Sequence, residues 1–171
     1  MTVVVGVDNS AASRTALRLA AQEARWRHAR LVAVSAYDPP LGAPVGGYPS
    51  AAMHTAGEQK AVTESALRDT VTTELDEQAA DIDLRVSEGL ASRVIIETAI
   101  QTGAQLIVLA SSAGKWMLPG TASQYVLVKA RCPVMLVPAD DAAGRDADPG
   151  HRDDEASKHG TAPSANEAAS Q

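Results

Sequence analysis

Short aliphatic runs recur along this chain with helix-length segments between them: VVVGVD at residues 3–8, LVAVSAY at 31–37, AQLIVLAS at 104–111 and CPVMLVP at 132–138. A run that is apolar at odd and even positions alike has no wet face, which suits a strand covered on both sides in a parallel sheet. The segments between the runs change period. From Ser10, SAASRTALRLAAQEARWRHAR sets Ala16, Leu17, Ala20, Ala21 and Ala24 on one helical face. Asn9 or Ser10 is available to cap its start, and Arg25, Arg27 and Arg30 lie towards its negative end.

The same reading extends along the chain. Pro39 and Pro40 stop the second strand, and residues 38–50 hold four of the nine prolines and three glycines, an irregular loop. A long helix then runs to about residue 80, with Val62, Ala66 or Leu67, Val71 and Leu75 on its inner face. DLRVSEG at 83–89 reads as a strand. ASRVIIETAIQTG reads as a helix with Ile95, Ala99 and Ile100 inward and Gly103 as its C-cap, and GTASQYVLVKAR as a last short helix. Strands alternating with helices imply right-handed crossovers and a doubly wound α/β sheet. Such sheets take ligands at the carboxyl ends of their strands, here Asp8, Ala36 to Asp38, Glu88 with Gly89, and Ala110 to Ala113.

Composition narrows the function classes. At 171 residues the chain suits one domain, and no apolar stretch approaches the length of a membrane span. The start, MTVVVGVDNS, lacks the basic region of a signal peptide, so the expected location is cytoplasmic. Cys132 is the single cysteine, which excludes an intrachain disulfide and an all-cysteine metal site, and with no base nearby in sequence it reads as a structural thiol. Residues 139–171 carry eight acidic and three basic side chains, against thirteen and twelve in residues 1–138. That tail has almost no large apolar residues to offset the entropy of ordering, so it reads as an acidic disordered tail behind a domain at 1–138. A near-neutral domain with no basic stripe and no Phe offers nucleic acid neither charge nor a stacking platform.

The stretch ASSAGKWMLPGTAS, residues 110–123, has the chemistry of an anion cradle. Small residues after a strand and a Gly-Thr at a helix start let backbone N–H groups and the positive helix end approach a phosphate. An ordinary glycine turn capped by hydroxyls has the same composition. Gly114-Lys115 is not a P-loop, since neither the preceding spacing nor a following Ser or Thr is present. Asp8 likewise has two readings, as a ribose acceptor or as a cap for the helix that follows. His28 and His54, the histidines before the tail, build neither a metal site nor a triad with anything near them in sequence.

The blocks VVVGVDNSAASRTALRLA, VSEGLASRVIIETA, AQLIVLAS and GTASQYVLVKARCPVMLVP resemble the universal stress protein (UspA) family across residues 2–138. The resemblance implies a five-stranded Rossmann-like parallel sheet in the order 3-2-1-4-5, homodimers formed through the last strand and, in one branch, ATP binding with Mg2+ accompanying the nucleotide. It implies no single reaction, and the chain is not expected to be an enzyme. In the ATP-binding branch the fingerprint is Gly, two residues, Gly, nine residues, then Gly-Ser or Gly-Thr, with Asp ending the first strand. Asp8, Gly120, Thr121 and Ser123 stand at matching positions here, but Ala110 and Ala113 occupy those of the first two glycines, and six residues separate Ala113 from Gly120.

A Cβ at those positions and a shorter loop change how far backbone amides can wrap a triphosphate. The expected arrangement is adenine near Ala36, ribose near Asp8 and Gly89, and phosphates against Ala113 to Gly114 and Gly120 to Ser123 (Gly120, Thr121, Ser123), with Ala110 also among the nucleotide-binding positions. ATP is the first candidate, with cyclic AMP or AMP demanding less of the loop. The expected role is that of a stress-response sensor or regulator. The alternative is a dimeric interaction module that binds no nucleotide and works through its surface, its Pro-rich loop or its tail.

Overall fold

The computed structural model describes residues 1–37, 55–111 and 121–138. The strands are β1 (Thr2–Gly6), β2 (Arg30–Tyr37), β3 (Asp83–Glu88), β4 (Leu106–Ser111) and β5 (Val134–Pro138). The helices are α1 (Ala11–Trp26), α2 (Ala56–Leu75), α3 (Ala91–Thr102) and α4 (Thr121–Lys129), with a short 3-10 helix, Asp76–Asp81, between α2 and β3. All strand pairs are parallel, and the sheet order is β3-β2-β1-β4-β5. This is the doubly wound α/β fold that the alternating sequence predicts.

Period-two alternation within the aliphatic runs divides the core into two layers. Val3, Val5 and Val7 of the first run join Leu31, Ala33 and Val108 in a cluster with the inner faces of α1 and α2. Val4 joins Val32, Val34, Ile107 and Leu109 in a second cluster under α3 and α4. Each strand in the middle of the sheet therefore needs apolar side chains on both faces, which is why these runs show no alternation of apolar and polar residues. Gly6 is the point of closest approach. A Cβ there would lie 2.9 Å from Leu109 Cδ2 and 3.0 Å from Ile95 Cδ1, so its bare backbone lets β4 and α3 close in just before the strand ends.

Several sequence expectations hold at residue level. The face predicted for α1 is buried at Ala16, Leu17, Ala20, Ala21 and Ala24. Gly103 is the left-handed C-cap of α3, with φ 60°. Two residues differ. Val62 is 64 % exposed, because the residues of α2 in the core are Leu67, Val71 and Leu75, further along the helix. Ile100 is 54 % exposed, because the face of α3 that meets the sheet is Val94, Ile95, Thr98 and Ala99, and Ile100 lies past its edge. The long helix also stops at Leu75 and continues as the 3-10 turn, not as α-helix to residue 80. Its start is fixed by a capping box: the Glu58 N–H donates to Thr55 Oγ1 at 3.2 Å, and the Thr55 N–H donates to Glu58 Oε2 at 2.7 Å.

Candidate functional site

The sheet opens at one place. Pairing of β1 with β4 ends at Val5 opposite Val108. Beyond that point β1 stays with β2, through Gly6 opposite Val34 and a 2.9 Å bond from the Val7 N–H to the Val34 carbonyl. Meanwhile β4 stays with β5 as far as Ser111 opposite Pro138. The two central strands thus part company at their carboxyl ends, where the crossover direction of the sheet reverses. This is the crevice in which open α/β sheets hold their ligands.

Asp8 stands on the β1 side of the crevice mouth, in a turn it helps to build. Its Oδ1 accepts the Ser10 hydroxyl at 2.6 Å and the Ser10 N–H at 3.1 Å. Ser10 is the N-cap of α1, and its own Oγ accepts the Ser13 N–H at 3.1 Å. The capping reading of Asp8 is thus realised indirectly, through Ser10. Partial burial pushes the Asp8 carboxyl up, but the bonds from the Ser10 hydroxyl, the Ser10 N–H, Ser13 and its own backbone together hold it below its ordinary value of 3.8. It is a carboxylate at neutral pH. Both of the bonds from Ser10 fall on Oδ1.

Asn9, next in the chain, has φ 63°, and its Oδ1 accepts the Thr70 hydroxyl of α2 at 2.9 Å. This tie from α2 to the Asp8 turn was not read from the sequence. The available signal was the residue type, since Asn tolerates left-handed backbone better than most.

The other described candidates line the same edge of the sheet. Ala36 is the penultimate residue of β2, half-buried and paired with Ser87 of β3. Gly89 follows β3 and donates its N–H to the Tyr37 carbonyl at 2.9 Å. Its φ of 123° is one that side chains avoid, and among the described residues a Cβ there would meet nothing within 4 Å. Ala110 is half-buried in the last turn of pleat of β4. Thr121 begins α4 and Ser123, in its first turn, is buried at 7 % exposure. Ala113, Gly114 and Gly120 lie outside the described residues, as do Lys115, Trp116, His54, the Pro-rich loop and the acidic tail.

Asp8, Ala36, Gly89 and Ala110 therefore share one rim of the sheet, with α4 starting from the same end. Among the described residues no group of three or more His, Cys, Asp and Glu side chains is placed to hold a metal ion. No helix of the described residues is long and apolar enough to cross a membrane. Cys132 is half-buried ahead of β5, and burial pushes its thiol up, away from reactive thiolate.

Fold and crevice define a doubly wound α/β protein with sheet order 3-2-1-4-5 that opens between β1 and β4 at the strand carboxyl ends. The chain belongs to the universal stress protein family, whose family model matches residues 1–138. Among solved structures it is similar to a universal stress protein in complex with cAMP, at 26 % identity and TM-score 0.59 over 80 % of this chain and 95 % of that one. UspA from Lactobacillus plantarum shares the fold at 23 % identity and TM-score 0.63, over 80 % and 97 % of the two chains. A universal stress protein from Archaeoglobus fulgidus in complex with dAMP shares it at 24 % identity and TM-score 0.51, over 80 % and 97 %. No curated protein matches the chain.

Proposed function

We propose that the chain binds an adenine nucleotide in the crevice between β1 and β4 and acts by binding, as a stress-response sensor or regulator in the cytoplasm. The observation that carries the reading is the parting of β1 from β4 beyond Val5 and Val108, with the Asp8 carboxylate beside the opening. Support comes from the similar universal stress protein in complex with cAMP. In the proposed mode the ribose hydroxyls donate to Asp8 and lie by Gly89, the base packs by Ala36, and phosphate meets the start of α4. The phosphate contacts assigned to Ala113, Gly114, Gly120, Thr121 and Ser123, and the place of Ala110 in the site, are part of the same proposal.

The nucleotide's phosphate count is the finer question. Ala110 brings a Cβ to a position where the ATP-binding fingerprint has glycine, and Ala113 to Gly120 is three residues shorter than its loop. Both favour a ligand with one phosphate, cyclic AMP or AMP, over ATP. Mg2+ would enter only with a polyphosphate, whose oxygens would hold it together with several waters, and Asp8 is the described carboxylate at the β1 strand end suited to reach it.

Calorimetric titration with ATP, ADP, AMP and cyclic AMP tests this reading, together with identification of any small molecule released on denaturing the purified protein. Saturable binding of at least one is expected, with AMP or cyclic AMP ahead of ATP. Removing residues 139–171, proposed to be a disordered tail, leaves that affinity unchanged. Absence of binding at millimolar nucleotide would replace this reading with the nucleotide-free interaction module.

We also propose a homodimer through β5. Among the described residues β5 is an edge strand with no neighbour beyond it in the sheet, its residues Val134, Met135 and Leu136 are only half-buried, and Val128 on adjacent α4 is 79 % exposed. Light scattering at micromolar concentration should give twice the chain mass, and a monomer there would refute it.

A further inference from the structure

Away from the nucleotide crevice, at the amino-terminal edge of the sheet, the end of α1, the start of β2 and the 3-10 helix Asp76–Asp81 enclose an open cleft of about 550 Å3. The void follows from sequence. The buried face of α1 carries alanine at 20, 21 and 24, and the chain has no Phe to fill the space between that helix end and the 3-10 turn. The volume is that of a small-molecule site, which runs from roughly 300 to 1,000 Å3.

The lining is amphipathic. Ala24, Leu31 and Ile82 supply apolar lining, and Arg25, His28, Arg30 and Asp81 supply charged and polar lining. Arg30 lies 3.8 Å from Asp83, whereas Arg25 has no ion-pair partner among the described residues. The last carbonyls of α1 are taken up by the backbone of the turn that follows. The Arg25 carbonyl accepts from the His28 N–H at 3.1 Å, the Ala24 carbonyl from Ala29 at 2.8 Å, and the Glu23 carbonyl from Arg27 at 3.0 Å. That closure forces His28 to φ 51°, a left-handed C-terminal position where glycine is the usual residue. A side chain kept there despite the backbone cost points to a use for it.

We propose that this cleft is a second ligand site, for a small amphipathic carboxylate whose apolar body lies on Ala24, Leu31 and Ile82 and whose carboxylate faces Arg25 and Arg30. It is independent of the nucleotide crevice, which is built on the other ends of the same strands.

The test is an NMR titration of the 15N-labelled full chain with octanoate below its micelle threshold, alongside octanol, which has the same body without the charge. Saturable amide shifts are expected at residues 21–31 and 78–82, with octanoate binding at least about tenfold more tightly than octanol. Arg25→Glu, on an exposed side chain, should weaken octanoate by a similar factor while the rest of the spectrum stays in place. The proposal fails if the shifts do not saturate at millimolar octanoate, if they centre on the strand carboxyl ends, or if octanol or the Arg25→Glu protein gives the same affinity.

Discussion

Leu17→Ala should destabilise the protein by about 3 kcal/mol, in the middle of the range for leucine truncation in a core. Leu17 is fully buried, and it is the one large side chain on the buried face of α1, whose other buried residues are Ser13, Ala16, Ala20, Ala21 and Ala24. Its surroundings in the cluster are largely Val and Ala, short side chains that cannot swing into the hole. The lost contacts are therefore not recovered by collapse, and the cavity adds its own cost to the lost transfer free energy. Against a domain stability of about 5–15 kcal/mol, the loss should lower the thermal midpoint by roughly 10 °C. Leu19, two residues on and 37 % exposed, is the control, since Leu19→Ala should change stability by less than about 0.5 kcal/mol. A thermal midpoint for Leu17→Ala within a degree or so of the parent would mean that α1 does not sit on the sheet as described.

That same helix shows why the fold was legible in the sequence. Its buried stripe recurs at helical spacing from Ala16 to Ala24, and the strands beside it are apolar on both faces, so the two periods separate cleanly. α2 was harder. Only Leu67, Val71 and Leu75 anchor it, so Val62, at the right spacing but one stretch too early, looked like part of a stripe that has not yet reached the core. Periodicity records which residues share a face, not how far along the helix the neighbouring surface extends. Ile100 illustrates the other limit, a residue beside the buried stripe of α3 but outside the width of sheet that covers it.

The candidate site was legible only in part, for a different reason. The strand ends could be read from where aliphatic runs stop, and these put Asp8, Ala36, Gly89 and Ala110 on one edge. The opening between β1 and β4 depends on which neighbour each strand keeps beyond Val5 and Val108, a long-range hydrogen-bonding choice with no local signature. The bond from Thr70 to Asn9 joins residues 61 apart in sequence and is equally invisible to a local pattern. It ties the residue after Asp8 to α2. The amino-terminal cleft was missed because it results from what is absent, bulk on α1 beyond Leu17, and alanines at helical spacing read simply as good helix formers.

Asp8→Asn should weaken nucleotide binding by about 10- to 100-fold, the equivalent of the 1.5–3 kcal/mol carried by a hydrogen bond to a charged group. Asparagine is the informative replacement because it separates the turn-building bonds of Oδ1 from the charge that the proposed ribose contact uses. Oδ1 accepts both bonds from Ser10, and an amide oxygen can keep both, so the turn and the cap on α1 survive. The charge and the second oxygen are lost, and with them the acceptor proposed for the ribose hydroxyls. Asp8→Ala removes both the bonds and the charge and should lower affinity and thermal stability together. The carboxylate also has a pH signature. Its folded value lies below the ordinary 3.8, so the ionised group contributes stability that is fully present above that value and is lost as pH falls through the depressed folded value. The stability gap between the parent and Asp8→Asn should accordingly be widest near neutrality and shrink in acid below 3.8. Calorimetric titration of the three proteins and their unfolding between neutral and acid pH separate the outcomes. Parent-like affinity in Asp8→Asn, with a stability loss confined to Asp8→Ala, would reduce Asp8 to an anchor for the start of α1 and leave the ribose to another group.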